Sequence, residues 1–352
     1  MAKYMANEGL DLMHVIGDGM GHKYDDVSLE IVNRTVDEWA HVPKDKYPNK
    51  INFVTYTLRY NTMHWLTVDA LEEHWSEARV TAEITTQSSI DITSSNVTSL
   101  TLKIPHNNSQ LNLHGNITIK INNSEFIVPG NNKTISLIRE NKSWHLTPAR
   151  PAKLLRSGDT SSSALTKRHG LQGPIDDAFM DSFIFVTPTG QEQSPELSKS
   201  VDEEMEDALL QWWRQFRGEP RVKRDVDLTT NDIQNNHLIL WGDPSSNSIL
   251  NRIQNSLPVH WDADQFSLHG NQHDARTHIP VLIYPNPLNP HRYVVLNTSF
   301  TFSEFSGGTN SLQIPKLPDW AVIDLSVPRN QRHPAAVVNA GFFDEHWQFK
   351  DH

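Results

Sequence analysis

The chain contains no cysteine. Disulfides and thiolate chemistry are therefore excluded. A basic excess is also lacking: 31 Lys and Arg stand against 42 Asp and Glu, a formal charge of −11. A dedicated nucleic-acid binder neutralises phosphates with a basic surface, so none is expected as a partner. No apolar run is long enough to cross a bilayer as a helix, so no membrane span is expected. Met1 to Gly9 is polar and too short for a signal peptide. Neither G-x-S-x-G nor G-x-G-x-x-G occurs, and no P-loop or H-E-x-x-H pattern is present. No cofactor and no metal is called for by these motifs. What is present suits folded domains. The hydrophobic content is 37% with ten tryptophans, enough for globular cores. A length of 352 residues is a prior for two or three domains.

The stretch Leu10 to Tyr24, LDLMHVIGDGMGHKY, organises the rest. Leu10 to Ile16 reads as a buried strand. Gly17, Gly19 and Gly21 follow as a turn that only glycine bends easily. His22 comes directly after it, and Asp25 or Asp26 caps a helix whose apolar positions Leu29, Val32, Val36 and Trp39 recur at helical spacing. A histidine on a loop past a strand end is where a hydrolase keeps its general base. The bland alternative is a solvated surface histidine, one of 18.

This segment, GHKYDDVSLEIVNRTVDEWA with its preceding strand, resembles the last strand, histidine loop and final helix of an α/β-hydrolase. It is most similar to large bacterial prolyl oligopeptidase-like serine hydrolases that carry a long C-terminal part. TYTLRYNTMHW, DALEEHW, GPIDDAFMDSF, LWGDPSSN, VLIYPNPLNPHRYVVLN and PKLPDWAV resemble that C-terminal part. The resemblance implies that His22 is the triad histidine. In that fold the triad order is Ser, then Asp or Glu, then His. Only 21 residues precede His22, so the nucleophile and the acid have no room upstream. The expectation is a C-terminal portion whose partner is a missing N-terminal hydrolase segment. Export in a bacterium is left open.

The expected fold is mixed α and β in three parts. Residues 1–48 are read as the terminal β-α piece of an α/β-hydrolase domain. Residues 49–147 change texture: RVTAEI, NVTSLTLKI, GNITIKI, SEFIVP and TISLIRE alternate apolar and polar residues, as in a β-sandwich-like antiparallel domain. LEEHWSEA reads as a short helix. Residues 148–174 read as a linker, with Ser161 to Ser163 as solvated loop. Residues 175–352 read as an α/β, Rossmann-like domain with a mostly parallel sheet. Its cues are the amphipathic helix Ser198 to Phe216, ended by Gly218 and Pro220, and the apolar run HLILWG.

Residue type offers further candidates. Ser246 and Asn247, in the turn from HLILWG into a helix, can hold an anion or sugar or simply cap that helix. Arg59 and Trp65, with Tyr60 and His64, can line a carbohydrate or peptide groove or serve as cross-strand packing. The stretch from His260 to His278 is rich in His and Asp but has no ligand spacing, so it reads as a surface loop without metal. Asp344, Glu345 and His346 read as a solvated end. The triplets at Asn96, Asn116, Asn132 and Asn141 match a glycosylation acceptor pattern that an Asn-, Ser- and Thr-rich segment also produces by chance.

Two functions remain open on the sequence. The first is the C-terminal portion of a serine esterase or peptidase that supplies the histidine and is inactive alone, its substrate an ester, peptide or carbohydrate-linked compound. The second is a non-catalytic accessory or carbohydrate- or polymer-binding module attached to a hydrolase.

Overall fold

The structure is a computed structural model. It describes residues 1–350 except 8, 18, 44, 46, 105–110, 113, 148–164, 263, 302–315 and 329–335. Most of the expected linker, including Ser161 to Ser163, lies outside the described residues. The chain forms two compact units, Met1–Pro48 and Asn49–His352. The fold is mixed α and β with several separate sheets.

The first unit holds helices α1 (Ala2–Asn7) and α2 (Asp26–His41). Asp25 caps α2: its carboxylate accepts from Ser28 N at 2.8 Å and Ser28 Oγ at 2.7 Å. Leu10 to Ile16 is not a strand. It runs without regular structure, and Leu10, Met13 and Ile16 are exposed. The reason is physical: a strand needs a ladder partner, and no strand occurs among the described residues of this unit. The α2 side chains Leu29, Val36 and Trp39 are exposed too.

The second unit begins with two five-stranded sheets. Their strands are β1 (Lys50–Thr55), β2 (Thr62–Met63), β3 (Leu66–Leu71), β4 (Ala78–Thr86), β5 (Ser89–Ser95), β6 (Val97–Lys103), β7 (Asn116–Ile121), β8 (Ser124–Pro129), β9 (Thr134–Glu140) and β10 (Ser143–Thr147). One sheet runs β1-β4-β5-β7-β8 and the other β10-β9-β6-β3-β2. Alternate residues point inward, so Val80, Ala82 and Ile84 of β4 meet Leu100 and Leu102 of β6 in one apolar core. All pairings are antiparallel except β5 with β7, because the chain crosses to the second sheet as β6 before returning. LEEHWSEA is not a helix. Leu71 ends β3, and residues 72–77 form a tight connection held by distant partners described below.

A seven-stranded mixed sheet follows. Its elements are β11 (Phe183–Thr187), α3 (Pro195–Phe216), β12 (Val222–Arg224), α4 (Thr230–Asn235), β13 (His237–Leu240), α5 (Ser248–Ile253), β17 (His278–Asn286), β18 (Asn289–Leu296), β19 (Trp320–Asp324) and β20 (Ala336–Gly341). The order is β12-β11-β13-β18-β17-β19-β20. The sheet is half parallel rather than mostly so. β12, β11, β13 and β18 run parallel, whereas β17, β19 and β20 are antiparallel. The cause lies in the connections: helices join the first strands, but a tight turn joins β17 to β18. All four residues of β13 are buried, which explains the unbroken apolar run HLIL. Helix α3 starts at Pro195 under a Ser194 cap. It ends with Arg217 in the left-handed region, so Arg217 takes the role expected of Gly218. The His/Asp-rich stretch is not a loop. It forms a three-stranded antiparallel sheet, β14 (Val259–Trp261), β15 (Gln265–Leu268) and β16 (Asn271–Asp274). Phe266 and Leu268 are its apolar anchors, both buried in the main core.

Candidate functional site

His22 lies on the loop that the glycines shape. Gly19 has φ +67°, and Lys23 N donates to Gly21 O at 2.9 Å. The imidazole is exposed, and among the described residues it has no hydrogen-bond partner. Both Asp25 oxygens are engaged by Ser28, so Asp25 is a cap and not a partner of His22. The Ser28 hydrogen bonds hold the Asp25 carboxyl below its ordinary range.

The mixed sheet has a point where the strand order reverses. From β11 the chain goes to β12 on one side, then to β13 on the other. The carboxyl ends of β11 and β13 thus frame the crevice where ligands bind in open α/β sheets. Here the crevice is closed. Thr189 N and Gly190 N both donate to Ser246 O, at 3.2 and 2.8 Å. A Cβ on Gly190 would stand 2.7 Å from Ser245 O, so the two loops touch backbone to backbone. Asp243 is fully buried and accepts from Gln193 N, Ser245 N and Ser246 N at 2.7 to 2.9 Å. Asn297, reaching from the end of β18, accepts from Gly242 N at 2.8 Å and donates to Gly242 O at 3.0 Å.

Ser246 and Asn247 are therefore internal groups, not ligand contacts. Asn247 Oδ1 accepts from Ile249 N and Leu250 N, capping α5, and its amide donates to Trp241 O. Ser246 Oγ accepts from Asp243 N at 2.9 Å. The cap is Asn247 rather than a serine. The turn is no nucleophile elbow either, since its left-handed residue is Gly242 at φ +95° and neither serine is strained.

Arg59 and Trp65 do not form a groove. Trp65 is buried in the sandwich core. Arg59 reaches toward the mixed-sheet part, with Nη1 3.4 Å from Asp177 Oδ1 and Nη2 donating to Met180 O at 3.4 Å. Tyr60 and His64 are exposed.

Arg59 instead introduces a buried polar network. Asp177 accepts from Tyr293 Oη at 2.7 Å, and Tyr293 Oη accepts from Gly173 N at 3.0 Å. Burial pushes the Asp177 carboxyl up and the Tyr293 phenol well up. Nearby, Lys167 Nζ donates to Asp319 Oδ2 at 2.8 Å and to Phe343 O at 3.0 Å. Both side chains are fully buried, and the ammonium sits 5.2 Å from the Trp347 ring centre. Burial raises the Asp319 carboxyl, and the Lys167 charge opposes that rise. Glu345, expected in a solvated end, is joined to buried His74. His74 N donates to Oε1 at 2.9 Å, and Nδ1 lies 2.7 Å from Oε2. Leu58 N points at His74 Nε2 from 3.4 Å, which assigns the proton to Nδ1. His169 Nδ1 donates to Leu58 O at 2.9 Å. These groups tie the sandwich to the mixed-sheet part.

Among the described residues no three His, Asp or Glu side chains converge as metal ligands. His273 stacks on Phe266 at 5.2 Å between ring centres, and His269 stacks on Phe349 at 4.8 Å, so two of the stretch's histidines serve as packing. Among the described residues no helix is long and apolar enough to cross a membrane.

No family model, no curated protein and no solved structure matches this chain.

Proposed function

We propose that this chain is the C-terminal portion of a serine hydrolase of the prolyl oligopeptidase-like α/β-hydrolase group, with His22 as its triad base. The observation that carries this reading is the state of residues 1–48. An exposed histidine sits on a glycine-bent loop directly before a capped helix, and apolar side chains are bare on both flanks. Leu10, Met13 and Ile16 before the loop, with Leu29, Val36 and Trp39 after it, suit a strand and helix that pack on a hydrolase sheet supplied by a partner segment. In that setting His22 takes the proton from a serine hydroxyl as its oxygen attacks an ester or peptide carbonyl. It then gives the proton to the leaving group, and water releases the acyl enzyme. The triad acid lies on the hydrolase segment, because Asp25 is committed to its cap. Residues 49–352 act as a non-catalytic module. Their sealed crevice and buried ion pairs support a scaffold role, and the parallel half of the sheet is the Rossmann-like element.

Two measurements test the reading. In a polypeptide carrying this sequence behind a hydrolase segment, His22→Ala should lower kcat by a factor on the order of 10⁴ or more. Retained activity would remove His22 from the mechanism. The chain on its own should turn over no short acyl ester, and robust turnover abolished by His22→Ala would overturn the division of labour.

A further inference from the structure

Trp75 combines three features. Its backbone is left-handed, at φ +69°. Its side chain is 39% exposed. Its indole N–H has no hydrogen-bond partner among the described residues. A bulky side chain in the left-handed region is a costly exception, and glycine or asparagine would take that backbone more easily.

The surrounding connection enforces the conformation. Trp75 N donates to Tyr56 O at 2.8 Å. On one side His74 is held by Glu345. On the other, the Asn96 amide donates to Glu73 O at 2.8 Å and to Ser76 O at 3.0 Å. The chain's second left-handed tryptophan, Trp347, repays its backbone by full burial among Tyr284, Tyr293 and Phe343. Trp75 packs its ring on Phe342 at 5.8 Å between ring centres and still leaves 39% of its surface exposed. Strain held in place by an over-determined loop, with an aromatic ring as its result, is the pattern of a binding position.

The neighbouring surface has matching chemistry. Thr55 and Ala78 pair and point inward, so Val54, Tyr56, Glu77 and Arg79 share the outer face. Tyr56 Oη donates to Glu77 Oε2 at 3.2 Å, and Arg79 Nε donates to Glu77 Oε1 at 3.2 Å. The two charges cancel. Farther along the same face stand Asn52, Thr81, Thr93 and Ser95, with Thr81 Oγ1 donating to Asn52 Oδ1 at 3.2 Å. The face thus carries hydroxyls and the Asn52 amide beyond the Tyr56 ring, and farther on the Lys50–Glu83 ion pair, at 3.0 Å, and Asp91.

We propose that this outer face binds a neutral polysaccharide, with Trp75 stacking on a sugar ring and Tyr56, Glu77 and Arg79 hydrogen-bonding to its hydroxyls. A pyranose ring offers an apolar C–H face to an indole and a rim of hydroxyls to paired acceptors and donors. The net charge of −11 disfavours an acidic polymer. The site stands whether or not His22 is catalytic.

The test is affinity electrophoresis of the full chain in gels containing glucomannan, arabinoxylan, hydroxyethylcellulose or laminarin, with polygalacturonate and alginate as acidic arms. At least one neutral polymer should retard the protein. Trp75→Asn, which suits the left-handed backbone, should weaken retardation about tenfold or more, and Tyr56→Ala severalfold. Trp213→Ala, which removes an exposed tryptophan of α3, should bind as the parent does. Circular dichroism checks that the Trp75→Asn variant is folded. No retardation by any neutral polymer, retardation by the acidic arms alone, or unchanged binding by a folded Trp75→Asn variant would each overturn the proposal.

Discussion

Lys167→Met should be among the most damaging single changes in residues 49–352, and its cost should depend on pH. Met matches the lysine stem in length and removes only the ammonium. Asp319 then stays fully buried, with Oδ2 accepting only from Phe343 N at 3.0 Å and Oδ1 without a partner among the described residues. Leaving one charge of a buried pair uncompensated costs about 3–5 kcal/mol, a large share of the roughly 5–15 kcal/mol that holds a domain folded. Protonation offers Asp319 an escape. Burial already raises its carboxyl above the ordinary 3.8, and loss of the Lys167 charge raises it further. The folded variant then binds a proton that the unfolded chain has released, so its stability falls as pH rises. Urea unfolding followed by tryptophan fluorescence at pH 5, 6.5 and 8 should show the full penalty at pH 8 and a smaller one at pH 5. Lys167→Met with Asp319→Asn should recover more than half of the loss at pH 8. A penalty below about 1 kcal/mol, or one equal at pH 5 and 8, would refute the view that this pair is sequestered from water.

Burial, then the nearby Arg292 charge, pushes the His237 imidazole down from 6.5 to about 4. The unfolded chain therefore protonates first. Stability should fall by roughly 3 kcal/mol as pH drops from 7 to 4, and His237→Gln should flatten that part of the unfolding profile. Burial would raise the Glu345 carboxyl, but the hydrogen bonds from His74 outweigh it and leave the group lowered. Its contribution is present at neutral pH and lost on acidification, and Glu345→Gln should cost about 1–3 kcal/mol at pH 7 by urea titration. Gly190→Ala should lower Tm and cost about 1–3 kcal/mol, because its Cβ meets Ser245 O and Ser246 Cα inside 3.0 Å; an unchanged Tm would show that the two loops can part. His22→Ala should leave unfolding within about 0.5 kcal/mol of the parent, as an exposed loop side chain with no partner predicts.

The sandwich was readable because each strand alternates, and alternation survives translation into one wet and one dry face. RVTAEI and NITIKI needed nothing beyond period two. HLIL was readable for the opposite reason, an unbroken apolar run covered on both faces. Leu10 to Ile16 misled because hydrophobic pattern states what a segment can bury, not whether a neighbour exists to bury it. LEEHW misled because its conformation is set by Glu345 and Asn96, far away in the chain. The same distance hid Lys167, Asp177, Tyr293 and Asp319. Their only local sign is a charge beside apolar residues, as in PIDDAF and LPDWAV. Arg59, Trp65, Ser246 and Asn247 were the right residue types for a ligand and were taken up by packing and caps instead.

His74 and Glu345 are separated by 271 positions. On the ribosome, the sandwich can assemble its own core long before Glu345 is synthesised. Its 72–77 connection must wait for Glu345 to emerge. A product cut short before Glu345 would leave the imidazole with no carboxylate to meet, so the connection senses whether synthesis has passed that residue.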